Sequence, residues 1–237
     1  MPKYNVWISL FAKDLLDKIL SAAQAPPKTA RATHLHAVRV DLNPSRSKSL
    51  SAGLDISRQL CATVVIENTS GKGGVVLTPE DFELFVSGDW MYTAQRHFST
   101  PFEAPGPCQV NHASSVRCVV LPSGEPVLKI STNDGLFVFL GAITYNTLIK
   151  KSGYILPRLR ELVSISQDGR LKDWICKVLF DLSEQRSTIK VHDMYAFVER
   201  NAETCIYKMG VDEPFKRILL ELFILYSDIF VKHLWMV

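Results

Sequence analysis

The sequence predicts an α+β fold: two antiparallel β-meander-plus-helix units followed by a C-terminal helical bundle. Three observations carry this expectation. Short β-branched and aromatic runs punctuated by Gly, Pro and Asn-Asp turn signals fill the middle of the chain. Within them, GGVVLTPEDFELFVSG (Gly73 to Gly88) has a counterpart in LFVFLGAITYNTLIKKSG (Leu136 to Gly153). Both pass through a leucine (Leu77, Leu140), place an aromatic five residues later (Phe82, Tyr145) and end in Ser-Gly, and Val64 with Val127 extends the match at the same offset. The last third follows helical spacing throughout. The expected organisation is an N-terminal amphipathic helix and linker over 1–30, a duplicated β-meander/helix domain over 31–165 and a helical domain over 166–237.

In VWISLFAKDLLDKILSAA, Ile8, Phe11, Leu15, Ile19 and Ala22 share one helical face, while Lys13, Asp14, Asp17 and Lys18 interrupt the apolar run before it reaches the length of a signal peptide. QAPPKTA ends that helix. HLHAVRVDL reads as a strand with His34, His36, Val38 and Val40 on one side and Leu35, Ala37 and Arg39 on the other. CATVVIEN is a second strand, closed by the turn SGKGG before VVL resumes. Thr78 is placed to cap a helix with Pro79 at its first position and Glu80 and Asp81 at the positive end of its dipole. This helix buries Phe82, Phe85 and Val86 and stops at Gly88.

After the connection STPFEAPGP, the runs SVRCVVL, PVLKIST and LFVFL form a meander of hairpins. A helix carrying Tyr145, Leu148 and Ile149 on one face ends at Gly153, and LPRLRELV starts another turn or short helix. Two amphipathic helices follow, one with Leu171, Trp174, Ile175, Val178, Leu179 and Leu182, the other with Val191, Met194, Tyr195, Val198 and Cys205. The final segment, FKRILLELFILYSDIFVKHLWMV, reads as one helix, apolar nearly all round yet too charged to span a membrane. Leu219, Phe223, Tyr226 and Leu234 supply a core stripe; Ile218, Leu222, Leu225, Ile229 and Phe230 are left as an expected interface to a second copy or a protein partner.

A chain of 237 residues with 47% hydrophobic and 22% charged residues has the composition of a globular protein. Its net charge of +3 is unevenly placed: Lys28, Arg31, Arg39, Arg46, Lys48 and Arg58 crowd one early region against Asp41 and Asp55, which points to an anionic partner. Five cysteines without a C-x-x-C pair argue for a reducing, intracellular setting, nuclear or cytoplasmic. GKGG lacks the Lys-Ser or Lys-Thr ending of a phosphate-binding loop and reads as a hairpin turn. Ser87 and Ser152 have no histidine beside them in a nucleophile motif, so no enzyme is expected, and no cofactor. His97, Cys108, His112 and Cys118 are four candidate zinc ligands around the central loop, without the paired short spacing of structural zinc sites.

The stretch VVIENTSGKGGVVLTPEDFELF, with its phrase Leu77, Thr78, Pro79 and Glu80, resembles the strand, turn, strand and helix entry of the positive-cofactor-four transcriptional coactivators. The Whirly proteins are similar in carrying two such units on one chain, and the likeness covers roughly Leu35 to Leu162. It implies a non-enzymatic protein that grips single-stranded DNA or RNA, in transcription or replication. Arg39, Arg46, Lys48, Arg58, Lys72, Arg96, Arg117 and Lys129 are then the candidate phosphate contacts, with Trp90 and Tyr92 as candidate stacking residues. The competing expectation is a viral or chromatin-associated scaffold that self-associates without binding nucleic acid.

Overall fold

The computed structural model describes residues 13–14, 16–18, 20–21, 34–68, 74–111, 113–185 and 194–235. The chain divides into two compact units, Pro26–Asp55 with Cys61–Ser164, and Met1–Ala25 with Ile56–Leu60 and Ile165–Val237. The first is built on strands, the second on helices.

The strand unit contains two four-stranded antiparallel sheets, each a meander in chain order. One comprises β1 (His34–Asp41), β2 (Lys48–Asp55), β3 (Cys61–Asn68) and β4 (Gly74–Leu77); the other comprises β5 (Cys108–Val110), β6 (Ser114–Val120), β7 (Pro126–Thr132) and β8 (Phe137–Gly141). Helices α1 (Pro79–Phe85) and α2 (Gly88–Ser99) follow the first meander, and α3 (Ala142–Gln167) follows the second. This is the α+β arrangement of paired meander-plus-helix units that the periodicities predict. Leu77 and Leu140 are buried near the ends of β4 and β8, and Phe82 and Tyr145 are fully buried at the fourth positions of α1 and α3. The constant offset does not reach back to the preceding strands. Val64 pairs with Leu77, whereas Leu140 pairs with Leu128 and not with Val127, because the second hairpin is one residue tighter.

Three other boundaries differ from the sequence expectation. Thr78 caps α1 as predicted, its Oγ1 accepting from the Asp81 amide at 3.1 Å. Gly88, however, opens α2 and does not close the helical region. Trp90, Ala94 and His97, at helical spacing, are buried and hold that second helix in place. KSLSAGLD, which sits in the basic segment, is a strand: Leu50, Ala52 and Leu54 alternate inward and are buried. Helix α3 runs through both Gly153 and Pro157. Its buried stripe continues unbroken from Tyr145 and Leu148 to Ile155, Leu159 and Leu162, and a solvent-side glycine costs only about 1 kcal/mol against that burial.

A bulge in β1 resets its faces. Register shifts between Leu35 and Val38, with His36 in the left-handed region at φ 54°. His34 therefore shares a face with Arg39, while Leu35, Val38 and Val40 pair with the inward residues Leu54, Ala52 and Leu50. His34 lies directly over Gly53, where any Cβ would stand 2.5 Å from the histidine's own. Its Nε2 is 2.8 Å from Thr63 Oγ1 and its Nδ1 3.1 Å from Ser51 Oγ, which suits a neutral ring that donates once and accepts once.

Burial lowers the His34 pKa from 6.5 to about 4, against the opposing pull of Asp55. Between those values the unfolded chain binds a proton that the folded chain does not, so the neutral ring's contribution is present above pH 6.5 and is lost as pH falls toward 4. The expected loss at pH 4.5 is about 2–3 kcal/mol. Urea unfolding of wild type and His34→Gln at about pH 7 and about pH 4.5 measures it: the variant's curve should lack this part of the acid sensitivity.

The helical unit comprises α4 (Arg170–Gln185), α5 (Met194–Lys208), α6 (Glu213–Leu225) and α7 (Ser227–Trp235), with helical residues also within 13–21. Leu16 and Leu20 of the latter are buried; Ile8, Phe11, Leu15, Ile19 and Ala22 lie outside the described residues. Leu171, Ile175, Val178, Leu179 and Leu182 of α4 form the predicted buried stripe, and Trp174 meets Phe215 edge-on at 4.7 Å. The expected single last helix is broken at Tyr226. Phe223 and Phe230 stack with centroids 4.4 Å apart, whereas seven residues of continuous helix would separate them by about 10 Å. The break lets α7 fold that ring back. Among the described residues, no helix is long and apolar enough to cross a membrane.

Candidate nucleic-acid interface

The second sheet alternates along most of its length, with Val127, buried on the otherwise outward face, as the exception. Val116, Cys118, Leu128, Ile130, Val138 and Leu140 point inward and are buried. Register places their neighbours in rows on the opposite face: Cys108, Arg117, Lys129 and Phe139 in one, Val110, Ser115, Ser131 and Phe137 in the next. The strands themselves place no carboxylate on this face, and Glu125, from the turn between β6 and β7, reaches it beside Gly141, its Oε1 3.2 Å from where a Cβ would stand. Arg117 is exposed, Phe137 is 45% exposed and Val110 on the edge strand is 78% exposed.

The two phenylalanines meet edge-to-face with centroids 5.3 Å apart, and Lys129 Nζ lies 4.8 Å from the Phe137 centroid. Successive outward residues on a strand stand about 7 Å apart, and adjacent strands about 5 Å. Two π-surfaces and two cations thus occupy one patch. Such a surface can stack bases without reading them and hold the phosphates between them.

The other candidate residues are dispersed. Arg39 donates to Glu67 Oε1 at 2.8 Å and Ser49 Oγ at 2.9 Å, so its charge is already matched within the first sheet. Arg46 pairs with Asp41 at 3.5 Å. Lys48 is half-buried at the start of β2, and Arg58 belongs to the helical unit. Lys72 lies outside the described residues. Trp90 is only 6% exposed and its ring packs inside, because α2 turns that face inward. Tyr92, on the same helix, is 70% exposed. Arg96 is exposed, with its guanidinium carbon 5.3 Å from the Phe102 centroid.

Of the four candidate zinc ligands, His112 lies outside the described residues. The other three are not brought together. His97 is fully buried with both ring nitrogens engaged, Nε2 with Val119 O at 3.0 Å and Nδ1 with the Phe102 amide at 3.2 Å. Cys118 faces the interior, where burial pushes its thiol pKa up to about 11, while Cys108 sits on the outward face. Among the described residues, no three His, Cys, Asp or Glu side chains group to hold a metal ion.

Phe137 and Phe139 are missing from the basic and aromatic residues that the sequence nominates, because LFVFL reads as a uniformly apolar strand. The signal is the alternation itself: with Val138 and Leu140 inward, both rings must face outward beside Lys129. No family model matches the chain, and no curated protein or solved structure matches it.

Proposed function

We propose that the chain is a non-enzymatic single-stranded nucleic-acid-binding protein that uses the outward face of β5–β8. The observation that carries this reading is the cationic and aromatic patch of Arg117, Lys129, Phe137 and Phe139. The paired meander-plus-helix topology supports it, in keeping with the likeness to the coactivator and Whirly families.

Binding is tested by fluorescence anisotropy of labelled oligothymidylate and oligouridylate across a salt series. Two phosphate contacts on a single strand give log K a slope of about −1.4 against log salt, at about 0.7 per contact. Lys129→Ala should remove about half of that slope. Affinity is expected in the micromolar range or weaker, and failure to bind at low salt overturns the proposal.

Self-association is a second reading. Ile224 and Leu225 stand exposed next to each other on α6, and Ile224 also lines a groove of about 370 Å³ together with Arg200, Ala202, Glu203, Leu220 and Phe223. A surface of this kind serves an assembly role whether or not nucleic acid is bound.

A further inference from the structure

We propose that the track for a single strand continues past the sheet onto a second stacking platform, formed by Phe102 and Arg96. This rests on the nucleic-acid reading above and extends it to residues outside the β5–β8 face. The buried His97 of α2 ties the platform to the sheet: its Nε2 donates to Val119 O on β6 at 3.0 Å, and its Nδ1 accepts from the Phe102 N–H at 3.2 Å. The Phe102 ring lies parallel to the imidazole, with centroids 5.7 Å apart and 4° between the planes. Both nitrogens being committed, the histidine is a fixed strut, and it holds Phe102 at the Val119 end of β6.

Val119 is two residues beyond Arg117 on the same strand, about 7 Å along it. The Arg96 guanidinium lies 5.3 Å from the Phe102 centroid, which repeats the pairing of Lys129 with Phe137 at 4.8 Å. Each pair puts a cation against a flat ring, the combination that receives a base and its phosphate. Arg96 is exposed on a long side chain, so an incoming base stacks on its guanidinium or displaces it toward the backbone. From Phe137, in register with Ser131 and Ser115, to Val119 is roughly 13 Å along the strand direction. A ligand that reaches both platforms is therefore a strand of several nucleotides, and a very short one reaches only the sheet.

The test is anisotropy with labelled oligothymidylates of three and eight nucleotides. Arg96→Gln and Phe102→Leu should bind the trimer as wild type does but lose about tenfold on the octamer, and Phe102→Tyr should restore it. If both variants bind the octamer like wild type while Phe137→Leu weakens both lengths, the second platform is wrong and the sheet reading stands. If wild type binds neither length, both readings fall. Circular dichroism accompanies each variant; should Phe102→Leu unfold, the surface variant Arg96→Gln decides alone.

Discussion

Replacing Phe137 and Phe139 together by alanine should reduce single-strand binding by about 30-fold or more while leaving the protein folded. Stacking of a base on an aromatic ring contributes roughly 1–3 kcal/mol, so two lost rings weaken a micromolar complex beyond easy detection. The fold should tolerate the change because the strand is held by its other face: Val138 and Leu140 are buried, and the backbone ladder to β7 is independent of the outward side chains. The rings' own contact, edge-to-face at 5.3 Å, and the Lys129 pairing are surface interactions worth about 1 kcal/mol or less each. Anisotropy measures the loss and thermal unfolding checks the fold. A variant that unfolds would show that the rings support the core, and one that binds normally would remove them from the site.

The second large effect is a contrast within α6. Leu222→Lys should unfold the helical unit, whereas Leu225→Lys should leave it folded. Leu222 is fully buried beside Ile218, Leu219 and Phe223, and an unpaired ammonium in such surroundings costs several kcal/mol. Leu225 is 56% exposed, and surface substitutions of this kind stay within about 0.5 kcal/mol. The two variants are compared by circular dichroism and by light scattering at high protein concentration. Ile218 and Phe230 share the fate of Leu222: they are buried within the chain and have no surface to offer a partner. Leu225 and the half-buried Ile229 remain from the set expected at an interface. A Leu225→Lys protein that stays folded and no longer self-associates would place the contact there. A wild type that is monomeric at high concentration would exclude self-association.

Strands and helices with strong period were legible from the residues. CATVVIEN, PVLKIST and the Thr78-Pro79 helix entry became β3, β7 and α1 with little adjustment. The weaker elements were hidden by composition. In KSLSAGLD the alternate Leu50, Ala52 and Leu54 are masked by serines, a glycine and flanking charges, and β5 is only three residues long. Gly88 and Gly153 look like helix stops, but Gly88 is the first residue of α2, after a break at Val86 and Ser87, and Gly153 lies on the exposed side of α3, whose buried stripe runs past it. For the site, charge counting led to the early basic segment, where Arg39 and Arg46 turn out to be matched by Glu67 and Asp41. Ion pairing across strands depends on register, and register at β1 depends on a bulge that no local pattern announces. Lys129 and Arg117, by contrast, sit in strands whose alternation assigns them outward from the sequence alone.

Helix α3 carries an internal seam. Pro157 has no amide proton, so the carbonyl of Gly153, four residues earlier, loses its partner in the ladder; both residues are exposed, on the solvent side of the helix. The 26-residue helix is thus anchored at two stations, Tyr145 and Leu148 before the seam and Ile155, Leu159 and Leu162 after it, with no backbone bond closing position 153 to 157. That turn should therefore open more readily than its neighbours, and the amide protons around it are expected to exchange with solvent sooner than those in the rest of the helix.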